Sequence, residues 1–128
     1  MNAAMGAPDD CRTVLVVDDN EGIRESLIDV LDLGGYAVVT AEHGADALAK
    51  LRSGVRPCVI LLDLMMPIMS GADFRRAQQQ DPLLAQIPVV IISADGDLAT
   101  KAAELQLEFL AKPMKVDKIF AAVAQHCK

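Results

Sequence analysis

The run Val59-Ile60-Leu61-Leu62-Asp63 constrains this chain more than any other stretch. Four consecutive apolar residues end in a single carboxylate, and Pro67 follows four positions later. A short unbroken apolar run reads as a strand buried on both faces, as happens inside a parallel sheet. Asp63 then sits where that strand leaves the sheet. Open α/β sheets bind ligands outside the carboxyl ends of their strands. Every other polar residue can therefore be judged by whether it reaches Asp63.

Four more runs have strand character: 13–17, 36–41, 89–92 and 109–111. Amphipathic helices are expected between them, over about 21–33, 45–52, 71–80, 97–105 and 116–125. Asn20 is a candidate N-cap for the first helix, and Ile23, Leu27, Val30 and Leu31 form its apolar stripe. Ala45, Leu48 and Ala49 are expected to face inward on the second. Ser70-Gly71-Ala72-Asp73 resembles a capping box at the start of the third. Val116, Ile119, Phe120, Val123 and Ala124 are the expected buried face of the last. Strands alternating with helices call for one parallel sheet covered on both faces.

The 128 residues suffice for one domain with a real core. Residues 1–11 read as a loose tail and 12–128 as the folded unit. A net charge of −6 argues against a nucleic-acid surface built on phosphate contacts. It leaves room for a local cation site. No apolar run approaches the ~18 residues of a membrane span, so no membrane insertion is expected. Cys11, Cys58 and Cys127 are few, far apart and without CxxC spacing, which reads as reduced, inert thiols of a cytoplasmic protein. His43 reads as a turn residue and His126 as a surface one.

Four of the five predicted strands end in residues suited to phosphate or metal chemistry: Asp18-Asp19, Asp63, Ser93 and Lys112. In a parallel sheet these ends point the same way and converge on one edge. Three clustered carboxylates repel one another, and a divalent cation relieves the repulsion. Hard oxygen donors favour Mg²⁺, with Mn²⁺ as the alternative. A carboxylate can act as nucleophile and carry an aspartyl phosphate. Lys112 would supply positive charge, Ser93 would offer its hydroxyl to a phosphoryl oxygen, and the small Ala94 would leave room.

Asp18-Asp19, Asp63 with Met66-Pro67 and Gly71, Ser93-Ala94, and Lys112-Pro113 together resemble the receiver domain of two-component response regulators. The order and spacing match over about residues 12 to 127. The resemblance implies a doubly wound (βα)5 fold with flavodoxin-like strand order 2-1-3-4-5. It implies that Asp63 is the phosphoacceptor and that Asp18, Asp19, Asp63 and the Met65 backbone carbonyl hold Mg²⁺. It implies a cis bond between Lys112 and Pro113, and a switch built from Ser93 and Phe109 that alters the face of the fourth helix, fifth strand and fifth helix. Met65 and Asp95 fall where such domains tune phosphoryl lifetime, and Ile23 where partners dock. The usual glycine ahead of the fifth strand is absent, with Gln106 or Leu107 in its place. The implied partners are a histidine kinase or histidine phosphotransfer protein and a downstream protein target. No turnover enzyme and no DNA contact by this domain are expected. With no stretch beyond the last helix to form a separate output domain, output would run through protein contact or onward phosphoryl transfer.

Three other readings compete. A haloacid-dehalogenase-like phosphatase also uses Asp, Mg²⁺, Ser or Thr, and Lys, but wants DxD after its first strand, where this chain has Asp18-Asp19-Asn20. A phosphorylation-independent binding module would not need the intact Asp19, Asp63, Ser93 and Lys112. An FMN-binding flavodoxin would need a Gly/Ser/Thr phosphate loop where this chain is acidic.

Overall fold

A computed structural model describes residues 12–94 and 97–127. The chain alternates strands β1 (Thr13–Val17), β2 (Ala37–Ala41), β3 (Val59–Asp63), β4 (Val89–Ser93) and β5 (Glu108–Ala111) with helices. The helices are α1 (Glu21–Leu33), α2 (Gly44–Arg52), α3 (Gly71–Gln79), α4 (Leu98–Leu105) and α5 (Val116–His126). All strand pairs are parallel, in the order β2-β1-β3-β4-β5. This is the doubly wound, flavodoxin-like arrangement that the sequence implies.

Alternation along the strands splits the core in two. Val14 and Val16 of β1 and Leu61 of β3 pack with Leu27 and Leu31 of α1 and Ile119 and Val123 of α5. Leu15, Val17, Ile60 and Leu62 point the other way, onto Leu48 and Leu51 of α2 and Phe74 of α3. Strand residues of period two thus feed both layers, which is why β3 is apolar without a break. Beside β4, Ile91 packs with Leu98 and Ala102 of α4.

The helix ends follow local chemistry. The Asn20 side chain accepts a hydrogen bond from the Ile23 N–H at 3.0 Å, and the Ser70 hydroxyl accepts from the Asp73 N–H at 3.2 Å. His43 does more than turn the chain. It caps α2, its Nδ1 accepting from the Asp46 N–H at 3.1 Å. Gln106 ends α4 in the left-handed region at φ 58°, doing the work usually left to glycine.

Some expectations need correction. In α2 the buried stripe is Ala47, Leu48 and Leu51, and Ala49 is exposed. In α5 it is Ile119, Ala122 and Val123, while Val116 is 51% exposed and Ala124 faces outward. Helical periodicity spaces the apolar positions of both helices and leaves the rotation of the stripe open by a residue or two. The cysteines differ most. Cys58 and Cys127 are joined in a disulfide, with Cα atoms 5.1 Å apart. α5 runs back along the sheet and returns Cys127 to the edge where β3 begins, a juxtaposition that a separation of 69 residues conceals.

Candidate functional site

The carboxyl ends of β1, β3, β4 and β5 lie side by side through the strand register, which pairs Val17 with Leu62, Asp63 with Ile92, and Ser93 with Ala111. The polar residues that end these strands, or directly follow them, therefore gather at one rim. Asp18 is wholly buried, Asp63 is 4% exposed and Ser93 is 1% exposed, while Asp19 is exposed. One carboxylate oxygen from each of Asp18, Asp19 and Asp63 falls in a cluster spanning 4.8 Å.

Lys112 closes the cluster. Its Nζ lies 2.8 Å from Asp18 Oδ2 and 3.6 Å from Asp63 Oδ2. The Lys112 N–H bonds to the Ser93 carbonyl at 2.9 Å, which fixes the root of the side chain to β4. The Lys112–Pro113 peptide bond is cis. Asp18 Oδ1 accepts from the Asn20 N–H at 2.9 Å, and Asp63 Oδ1 accepts from the Met65 N–H at 3.2 Å.

Burial pushes the Asp63 carboxyl up to about 6, and the neighbouring Asp18 charge pushes the same way. The Met65 N–H and Lys112 oppose the shift without cancelling it. The geometry thus holds an acid whose charge is costly until a cation compensates it. The donors are hard oxygens, with neither His nor Cys in the cluster. That set fits Mg²⁺ or a similar divalent ion.

Gly71 explains how α3 is brought against Asp63. Its N–H bonds to the Leu64 carbonyl at 3.1 Å. A Cβ at this position would lie 2.6 Å from the Asp63 carbonyl oxygen and 2.8 Å from Leu64 Cα. Both obstacles are backbone, so neither can step aside cheaply. In the same loop, Met65 is 61% and Ile68 is 81% exposed, and Ile68 takes the left-handed φ of 68°. That backbone is unusual for a β-branched residue and lies in the loop that follows Asp63.

Sequence reasoning did not single out Arg24 or Ile68. Arg24 donates to the Asp18 carbonyl oxygen at 2.6 Å and so ties α1 to the acid pair. Its place in the first turn after Asp18-Asp19 was the available signal. Ile23 is half-buried and lines a cavity of about 220 Å³ with Leu27, Val30, Lys112, Pro113 and Met114. Phe109 stands on β5 at 45% exposure, apart from the acid cluster. Asp95 lies outside the described residues.

Residues 14–124 match the family described as the response regulator receiver domain. The chain belongs to that family. Relatives of this receiver domain include the phosphate regulon transcriptional regulatory protein PhoB of Pseudomonas aeruginosa. It is 32% identical over 113 residues, covering 86% of this chain and 49% of PhoB. The response regulator MprA of Mycolicibacterium vanbaalenii is 32% identical over 111 residues, covering 84% of this chain and 47% of MprA. The receiver domain spans about half the length of these relatives. Among solved structures, the Vibrio cholerae chemotaxis protein CheY4 superposes with a TM-score of 0.80 at 27% identity, covering 91% of this chain and 98% of CheY4. The signal receiver domain of a histidine kinase from Syntrophus aciditrophicus superposes with a TM-score of 0.82 at 28% identity, covering 91% of this chain and 90% of that one. Family membership sets aside the phosphatase and FMN readings. It assigns the receiver domain to two-component signalling, where such domains take phosphoryl groups from histidine kinases. Among the described residues no helix is long and apolar enough to cross a membrane.

Proposed function

We propose that this receiver domain is a phosphorylation-dependent switch whose acceptor is Asp63. The observation that supports it best is Lys112 Nζ set between Asp18 and Asp63, inside a carboxylate cluster spanning 4.8 Å. An Asp63 oxygen attacks the phosphorus of a phosphohistidine on a histidine kinase or histidine phosphotransfer protein. The new O–P bond forms as the P–N bond breaks, and the imidazole leaves. A Mg²⁺ or Mn²⁺ ion held by Asp18, Asp19, Asp63 and the Met65 carbonyl would supply neutralisation of the phosphoryl charge. Lys112 leaves Asp18 to pair with the phosphoryl oxygens, and the Ser93 hydroxyl donates to another.

Ile23 and its cavity beside Lys112 and Pro113 are the docking point for the phosphodonor. Ser93 and Phe109 relay the change to the α4-β5-α5 face, where Phe109 is available to turn inward. That face then contacts a downstream protein, or the phosphoryl group passes onward in a relay. Met65 and Asp95 set the lifetime of the acyl phosphate. The acting unit is residues 12–128, it works in the cytoplasm, and it does not turn over substrate.

Incubation with acetyl phosphate and Mg²⁺, followed by intact mass, tests this reading. One phosphoryl group per wild-type chain is expected, and none on Asp63→Asn or in EDTA. Equal uptake by Asp63→Asn would overturn it.

A further inference from the structure

The Cys58–Cys127 bond lies at the far end of the sheet from the carboxylates. Cys58 immediately precedes β3, and Cys127 immediately follows α5. Along β3 Cys58 is roughly 16 Å from Asp63 at ~3.3 Å per residue. The Cα separation of 5.1 Å suits a disulfide without backbone movement. Cys127 is 3% exposed and belongs to the core beneath α1 and α5, and the partly exposed Cys58 packs against that core. Cys58 Sγ also lies 3.2 Å from the Thr13 carbonyl oxygen, where a reduced thiol finds an acceptor for its S–H. Both oxidation states therefore fit the same packing.

We propose that Cys58 and Cys127 form a reversible thiol–disulfide site that clamps the end of α5 to the start of β3 when oxidised and frees it when reduced. The oxidant is a small disulfide of the glutathione class. Cys58, the less buried residue of the two, attacks it as a thiolate, and one glutathione thiolate leaves. Cys127 then attacks the Cys58 sulfur of the mixed disulfide and displaces the second glutathione. Two protein thiols are oxidised, one glutathione disulfide is reduced to two thiols, and the two protons end on glutathione. Excess glutathione reverses both steps. The bond adds to a helix end also held by the Cys127 N–H on the Val123 carbonyl at 2.8 Å and by His126 Nε2 against Glu108 Oε1 at 2.8 Å. Helix ends open locally at little cost unless tied down. The clamp works without the phosphoryl chemistry proposed above.

The test equilibrates the full chain in glutathione buffers from oxidising to reducing. Samples are trapped with acid, alkylated in denaturant, and read by intact mass and peptide map. Of the three cysteines, one is expected to alkylate in the oxidised protein and all three in the reduced protein. The map is expected to show a Cys58–Cys127 cross-link. Hydrogen exchange of the last-turn amides of α5 is expected to speed up ~10-fold or more on reduction. Cys127→Ser should exchange at the reduced rate in every buffer, and reduced wild type gives the same comparison should that variant not fold. Four results would each overturn the proposal: three free thiols under excess glutathione disulfide, a bond that survives excess glutathione, a cross-link to Cys11, or equal exchange in both states.

Discussion

Asp63 is held at odds with its own charge. Its carboxyl is raised from an ordinary 3.8 to about 6 by burial and by Asp18. In metal-free protein the folded state therefore keeps this proton up to pH 6, while the unfolded chain releases it near pH 4. The folded state binds more protons in that window, so this group's contribution to stability falls as pH rises from about 4 to about 6. Asp63→Asn removes the effect. In EDTA the variant should match wild type near pH 4 and exceed it by on the order of 2 kcal/mol at pH 7. Urea unfolding at the two pH values checks this, and Mg²⁺ at pH 7 should narrow the gap. Which residues cluster here was legible, because strand-end acids need only the strand positions to be found. That Lys112 sits closer to Asp18 than to Asp63 was not, because the contact joins residues 94 apart.

At the scale of elements, two positions carry the placement of helices. Gly71 lets α3 begin against the backbone of Asp63. Gly71→Ala should lower the rate of phosphoryl uptake from acetyl phosphate by about tenfold through misplacement of the acceptor. It should also cost roughly 1–3 kcal/mol of stability. Phosphorylation kinetics and denaturant melts would show both. Gln106 pays for its left-handed backbone with Cβ crowding that glycine lacks. Gln106→Gly should stabilise the domain by about 0.5–1 kcal/mol, read as a higher melting temperature. The sequence showed that glycine was missing there, yet not which residue took the strained turn, because Gln106 and Leu107 both fit the pattern. Strand order and helix count followed from alternating runs and the family resemblance. The inward faces of α2 and α5 lie a residue or two from the expected ones, since periodicity gives a stripe's spacing better than its phase.

Across the whole molecule, chemistry sits at one end of the sheet and a covalent tie at the other. Closing a loop of 69 residues should contribute about 4 kcal/mol by restricting the unfolded chain. Reduction should then lower the melting temperature by roughly 15 °C, as calorimetry with and without a reductant would show. Nothing local to either cysteine announced the tie, because it is created by the return path of α5. The switch proposed above turns on the acid at the centre of the opposite rim. The most direct test traps the acyl phosphate by borohydride reduction after incubation with acetyl phosphate and Mg²⁺, then locates the modified residue by peptide mapping. Homoserine at position 63 alone is the expected result. Homoserine at position 18 or 19, or an unmodified residue 63 in a chain that has gained phosphate, would contradict the account.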